Sequence, residues 1–126
     1  MRKTKGESPY EARYGFSRAV RVGDRIIVAG TGPVAEGGGT EPGDAAAQAR
    51  RCFAIARAAL EDLGGSLTGT IRTRMYITDP ADADAIGAVH AEIFAEIRPA
   101  ATMIVINSLL DPEWRVEIEL EAFVAP

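Results

Sequence analysis

The 126-residue sequence predicts an α+β fold, one mixed sheet with two helices on one face, and three features carry that reading. Apolar and polar residues alternate through 16–22, 70–78 and 115–124, the period of half-buried strands. Two longer stretches, 45–63 and 79–97, repeat apolar residues every three or four positions, as helices with one buried stripe do. The resulting order is strand-strand, helix, strand, helix, strand-strand, with a hairpin at each end, and this interleaving favours a single mixed sheet. With 47% hydrophobic residues the chain can bury a core of its own, and its length suits one domain spanning 1–126.

Residues 1–13 show no period and are expected to form a flexible N-terminus. Phe16, Arg18, Val20 and Val22 then alternate with Ser17, Ala19 and Arg21, and Gly23-Asp24 is a two-residue hairpin turn leading into Arg25-Ile26-Ile27-Val28-Ala29. Gly30-Thr31-Gly32-Pro33 ends that strand. After a glycine-rich loop, Asp44 can cap a helix whose inner stripe is Ala49, Cys52, Phe53, Ala56, Leu60 and Leu63, and Gly64-Gly65 stops it. In 70–78 the period of two places Ile71, Met75 and Ile77 on one face and Arg72, Arg74 and Tyr76 on the other. Asp79-Pro80 opens a second helix with the inner stripe Ile86, Val89, His90, Ile93 and Ile97. A strand at 102–106 follows, and the last strand alternates Val116, Ile118 and Leu120 with Glu117, Glu119 and Glu121. Two helices cover one sheet face only. The second face, expected to carry Met103 and Val105 beside charged residues, is too mixed for a solvent face and predicts a homo-oligomer.

Composition excludes several classes of function. Asp plus Glu is 18 against 14 for Lys plus Arg, a net charge of -4 with the basic residues scattered, which disfavours nucleic-acid binding. One cysteine, Cys52, and one histidine, His90, can form neither a disulfide framework nor a metal site within one chain. No apolar run approaches the roughly 18 residues a membrane span needs, and the charged N-terminus leads into no signal-peptide core, so a cytoplasmic protein is expected. Gly37-Gly38-Gly39 lacks the lysine of a phosphate loop, and no cofactor is implied.

Several segments together resemble one family. Val28-Ala29-Gly30-Thr31-Gly32-Pro33-Val34 is similar to the strand and Ser-Gly-Gln-x-Pro loop of the RidA family, also called YjgF, YER057c or UK114. Gln48-Ala49-Arg50, the run from Arg72 to Asp79, Arg98-Pro99-Ala100-Ala101-Thr102, and the terminal Val116-Glu117-Ile118-Glu119-Leu120-Glu121-Ala122 match in the same order. The resemblance covers roughly residues 14–124. It implies a chorismate-mutase-like fold, a homotrimer, small-molecule pockets at subunit interfaces, and hydrolysis of reactive imines and enamines to ammonia and a keto acid.

The pocket that the resemblance implies has changed its chemistry. The family's arginine, which grips a substrate carboxylate, falls at Ala101, and losing such a partner costs a buried carboxylate about 2–5 kcal/mol. The pocket tyrosine falls at Phe16, the serine before the loop glycine at Ala29, the helix asparagine at Gly87, and a tyrosine or related residue at His90. Gly30 and Glu119 remain, Glu119 matching the carboxylate that activates water. Candidate catalytic residues are therefore Glu119 and His90, the latter titrating near neutrality. The candidate binding set is Phe16, Ala29, Gly30, Thr31, Gly87, His90, Arg98, Ala101, Thr102 and Met103, with Arg98 as a substitute anion binder. Against catalysis, the row Glu117, Glu119, Glu121 and the row Arg72, Arg74 suit plain cross-strand ion pairs. His90 on an apolar stripe suits a core position, and Arg98 a helix C-terminus. Cys52 reads as a small buried hydrophobe. Three functions compete: a hydrolase or deaminase acting on a small imine, enamine or amide but not on standard 2-imino acids, a non-catalytic metabolite-binding protein, and, least favoured, a ribonuclease.

Overall fold

The computed structural model describes residues 1–125. Its strands are β1 (Arg2–Thr4), β2 (Ala19–Val22), β3 (Arg25–Thr31), β4 (Thr70–Ile77), β5 (Ala100–Val105) and β6 (Val116–Phe123); its helices are α1 (Tyr10–Tyr14), α2 (Ala45–Asp62) and α3 (Ala83–Phe94). The six strands form one mixed sheet in the order β1-β2-β3-β6-β4-β5. Only β4 and β5 run parallel, joined through α3; every other pair is antiparallel.

α2 and α3 cover one face. Asp44 accepts the Ala47 N–H at 3.0 Å and opens α2 as its N-cap. Ala49, Cys52, Phe53, Ala56 and Leu60 then lie fully buried against Ile26, Val28, Ile118 and Leu120 of the sheet. Asp79 caps the turn before α3 by accepting from Ala81 at 2.9 Å, and Ile86, Val89 and Phe94 complete the core.

Four expectations need correction. The N-terminal residues are not loose: Arg2–Thr4 extends the sheet by pairing with β2, and α1 follows. Residues 16–18 precede β2 instead of belonging to it, because α1 ends there in the left-handed Gly15. The two last strands form no hairpin; β6 inserts between β3 and β4 and β5 takes the edge, since a parallel partner for β4 requires a crossover connection. Finally, a register shift between Thr70 and Arg72 turns Ile71 outward at 45% exposure, while Thr73, Met75 and Ile77 keep the helix side. A bulge resets the period of two, and a pattern count cannot see it.

Candidate functional site

Strand alternation separates the candidate residues onto opposite faces of the sheet. Glu119 lies on the face the helices leave open, between the inward-facing Ile118 and Leu120. Its neighbours arise from register: Arg74 stands opposite it on β4, while Tyr76 stands opposite Glu117 and reaches along the face. Arg74 Nη1 donates to Glu119 Oε1 at 3.3 Å and the Tyr76 hydroxyl donates to the same oxygen at 2.5 Å. The Tyr76 phenol is consequently raised above its ordinary pKa, first by that hydrogen bond to Glu119 and then by burial. Between the two rows one cross-strand ion pair, Arg74 with Glu119, is thus present, and Glu121 instead takes Arg25 of β3 at 2.7 Å.

On the other flank of β6, the register of β3 shifts between Val28, opposite Leu120, and Thr31, opposite Ile118. Ala29 and Gly30 therefore share the position opposite Glu119, a bulge that brings backbone close to the carboxylate row. A Cβ on Gly30 would meet Glu117 Oε2 at 2.9 Å, so glycine is what lets that carboxyl lie down on β3. Thr31 points away, buried on the helix side, its hydroxyl donating to the Ala29 carbonyl at 2.8 Å and accepting from Arg18 at 3.1 Å. Phe16 is exposed, its ring centroid 5.4 Å from the Arg18 guanidinium carbon.

Of the remaining candidates, Gly87, His90, Ala101 and Met103 gather at the β5 edge, on the helix side. Ala101 stands opposite the buried Thr73, and Met103 opposite the buried Met75. Met103 thus packs toward α3, its terminal methyl 4.0 Å from where a Cβ on Gly87 would sit. This corrects the placement of Met103 and Val105 on the uncovered face: Val105 partners the inward Ile77, and the uncovered face carries Ala100, Thr102 and Ile104 of β5 instead. His90 is half-buried over the same spot, Nε2 at 2.8 Å from Thr73 Oγ1, its ring 4.6 Å from Phe94 and 5.9 Å from Phe53. Burial pushes its pKa down, so the neutral imidazole is favoured. Arg98 is exposed in the left-handed region at φ 51, its Nε donating to the Ala95 carbonyl at 3.2 Å where α3 ends. It closes a helix end and lies apart from Glu119.

Three participants were not singled out from sequence. Glu117 differs from Glu119 in lying against Gly30 with no hydrogen bond from any described residue, and burial raises its pKa. Arg18 is almost completely buried, giving Nη1 to the Gly30 carbonyl at 2.8 Å and facing Glu11 at 3.5 Å. Thr73 sets the His90 ring through its hydroxyl. A basic residue and an acid two places from a noted acid were visible, but the bulge and α1 that join them were not. Cys52 is fully buried and its thiol is pushed far above the ordinary range, which leaves it a packing residue. Among the described residues no group of three or more His, Cys, Asp and Glu side chains converges on a metal position, and no helix is long and apolar enough to cross a membrane. A cavity of about 730 Å³ lies between the N-terminal segment 3–8 and α2; Arg18 and Gly32 line it, and neither Glu119 nor His90 does.

Comparison with known proteins agrees with this arrangement. The family model described as Endoribonuclease L-PSP matches residues 6–124. An uncharacterized Streptomyces coelicolor protein is 36% identical over 98% of this chain and 92% of its own length. The 3-aminoacrylate deaminase RutC of Acinetobacter baylyi is 34% identical over 84% of each chain. Among solved structures, a YjgF/YER057c/UK114 family member from Mycobacterium tuberculosis superimposes with TM-score 0.88 at 36% identity, covering 98% of both chains. The Escherichia coli YjgF product does so with TM-score 0.79 at 28% identity over 86% of this chain and 87% of that one. The mixed sheet with its helices agrees with that likeness, and the chain belongs to the YjgF/YER057c/UK114 family, the family of RidA.

Proposed function

We propose that this protein is a Rid-type hydrolase that releases ammonia from a small imine, enamine or amide, at pockets shared between subunits of a homotrimer. The observation that carries the reading is Glu119: a carboxylate on an uncovered sheet face, fixed by the Tyr76 hydroxyl and Arg74 and facing the Ala29-Gly30 bulge. Such a carboxylate can take a proton from water as the water adds to a C=N carbon. Kinship with a relative named as a 3-aminoacrylate deaminase supports ammonia-releasing chemistry. Because Ala101, Met103, Gly87 and His90 lie across the sheet from Glu119, one chain cannot close a pocket around both groups. The β5 edge of one copy against the uncovered face of another would bring them together.

The substrate differs from an ordinary 2-imino acid. Ala101 has no cation to offer a carboxylate, and Arg98 is committed to the end of α3. The β5 side of the pocket is instead lined by a methyl, a thioether and a neutral imidazole, which favours an uncharged substrate end. The assay is ammonia release from the imine of pyruvate, the imine of acetone and 3-aminoacrylate, in wild type and Glu119→Gln. The wild type should turn over the acetone imine better than the pyruvate imine, with loss of about 10²-fold or more in the variant; equal rates in both proteins would remove Glu119 from the chemistry.

The second reading, a metabolite-binding protein without turnover, draws on the same loss of polar groups at Phe16, Ala29, Gly87 and Ala101. A ligand retained in the native mass spectrum of freshly purified protein, with no ammonia from any probe, would favour it. Cleavage of RNA is disfavoured by the row Glu117, Glu119, Glu121 on the uncovered face, which repels phosphates. A single buried thiol is in keeping with a cytoplasmic location.

A further inference from the structure

We propose that Glu117 is the proton donor that works with Glu119, and that Arg18 positions it; the inference rests on the hydrolase reading above. Residues two apart on a strand share a face at about 7 Å, a gap that a water and one small planar group can fill. The two carboxyls are held differently. Glu119 is engaged by a phenol and a guanidinium on one oxygen. Glu117 lies against Gly30, where any larger residue would collide with Oε2, and no described residue hydrogen-bonds it. One is therefore organised as an anion and the other is left free to carry a proton to a ligand.

The charged surroundings of Glu117 agree. Arg18 approaches from the segment before β2, anchored on the Gly30 carbonyl and on Thr31; its Nη2 is buried without a hydrogen-bond partner, and its Nε meets only the Glu11 carboxylate, as an ion pair at 3.5 Å. Glu11 of α1 faces Arg18 from behind, Tyr76 and Arg74 stand on β4, Cys52 lies beneath on α2, and Glu119 is its strand neighbour. Burial raises the Glu117 pKa, Arg18 opposes that shift, and the Glu119 charge adds to it. Two nearby carboxyls whose settings differ in this way divide into an acid and a base.

The chemistry balances. As water adds to the C=N carbon, Glu119 takes one water proton and Glu117 gives its proton to the imine nitrogen, forming a carbinolamine. Glu119 then returns its proton to that nitrogen while the carbinol O–H proton passes to Glu117. The C–N bond breaks, ammonia leaves, the carbonyl forms, and both carboxyls regain their starting state.

The test is the pH profile of ammonia release between pH 5 and 8, with whichever of the acetone imine, pyruvate imine and 3-aminoacrylate is turned over fastest. Wild type should lose rate as pH rises, because the donor must be protonated. Glu117→Gln should fall roughly 10²-fold in kcat and lose that alkaline decline while keeping its fold by circular dichroism. Arg18→Gln should move the decline to higher pH, since Arg18 holds the Glu117 pKa down. A wild-type rate with no alkaline decline, or a decline unchanged in Glu117→Gln, overturns the assignment with the hydrolase reading intact. No turnover of any probe by wild type overturns the hydrolase reading and this assignment with it.

Discussion

At His90 the structure joins an aromatic shelf to a single polar partner. Phe53 and Phe94 enclose the ring and Thr73 takes Nε2, an environment that favours the uncharged imidazole. The folded-state pKa therefore lies below the ordinary 6.5. Between those two values the unfolded chain binds more protons than the folded one, so stability rises with pH through that window. The stabilisation is complete above the ordinary value and is lost as pH falls toward the folded one. Denaturant titrations should consequently show that wild type loses more stability from pH 7 to pH 5 than His90→Asn does. Equal losses would mean that the ring is as well solvated in the fold as outside it.

The elements around the carboxylate row are pinned from below by the loop entering β6. Arg115 makes a two-point contact with Asp82, at 2.9 and 2.7 Å, and its N–H donates to Gln48 at 2.8 Å. Trp114 is buried against Gly32, and a Cβ at that glycine would collide with its ring. Tyr10 of α1 packs edge-on to the same indole with centroids 6.0 Å apart, so one aromatic ties the N-terminal segment, the β3 exit and the start of β6 together. Gly32→Ala must displace the indole. The expected cost of such overpacking is about 1–3 kcal/mol, read as a drop in Tm of roughly 5 °C or more, and an unchanged Tm would show that Trp114 does not brace this corner.

Across the whole molecule, one sheet face is sealed by helices and the other mixes charges with Val22, Ile27, Ile104 and Phe123, all exposed. Apolar side chains of that size on a flat face mark an association surface, in accord with the proposed trimer of 13.4 kDa chains. Ile27 stands opposite Glu121. Ile27→Glu would bury a second carboxylate beside the first in any interface formed there, a like-charge contact that costs several kcal/mol. Analytical ultracentrifugation should give a trimer for wild type and a monomer for Ile27→Glu, with ammonia release lost in the variant and its circular dichroism unchanged. A monomeric wild type would sink the shared-pocket reading.

The local patterns carried much of this architecture. Asp44 marks the start of α2 and Asp79 the 3₁₀ turn that precedes α3 at Ala83, because a short carboxylate accepts from a free N–H wherever it stands, and the stripe Ala49, Cys52, Phe53, Ala56, Leu60 is buried as its spacing requires. The alternation of Val116, Ile118 and Leu120 with three glutamates fixed which side chains of β6 face the helices, and Glu119 stood out from that row only through the family resemblance. What the tertiary structure decided depends on partners distant in sequence. The bulges at 29–30 and 70–72 shift which face a residue serves, so Ile71 turns out and Gly30 receives Glu117. The parallel pairing of β5 with β4 set Met103 and Ala101 on the helix side, because register is inherited from the neighbouring strand and not from the segment's own pattern. The contact of Arg18 with Gly30, the facing of Arg18 by Glu11 of α1 and the seat of Glu117 against Gly30 join residues far apart in the chain, a long-range packing that no local period records.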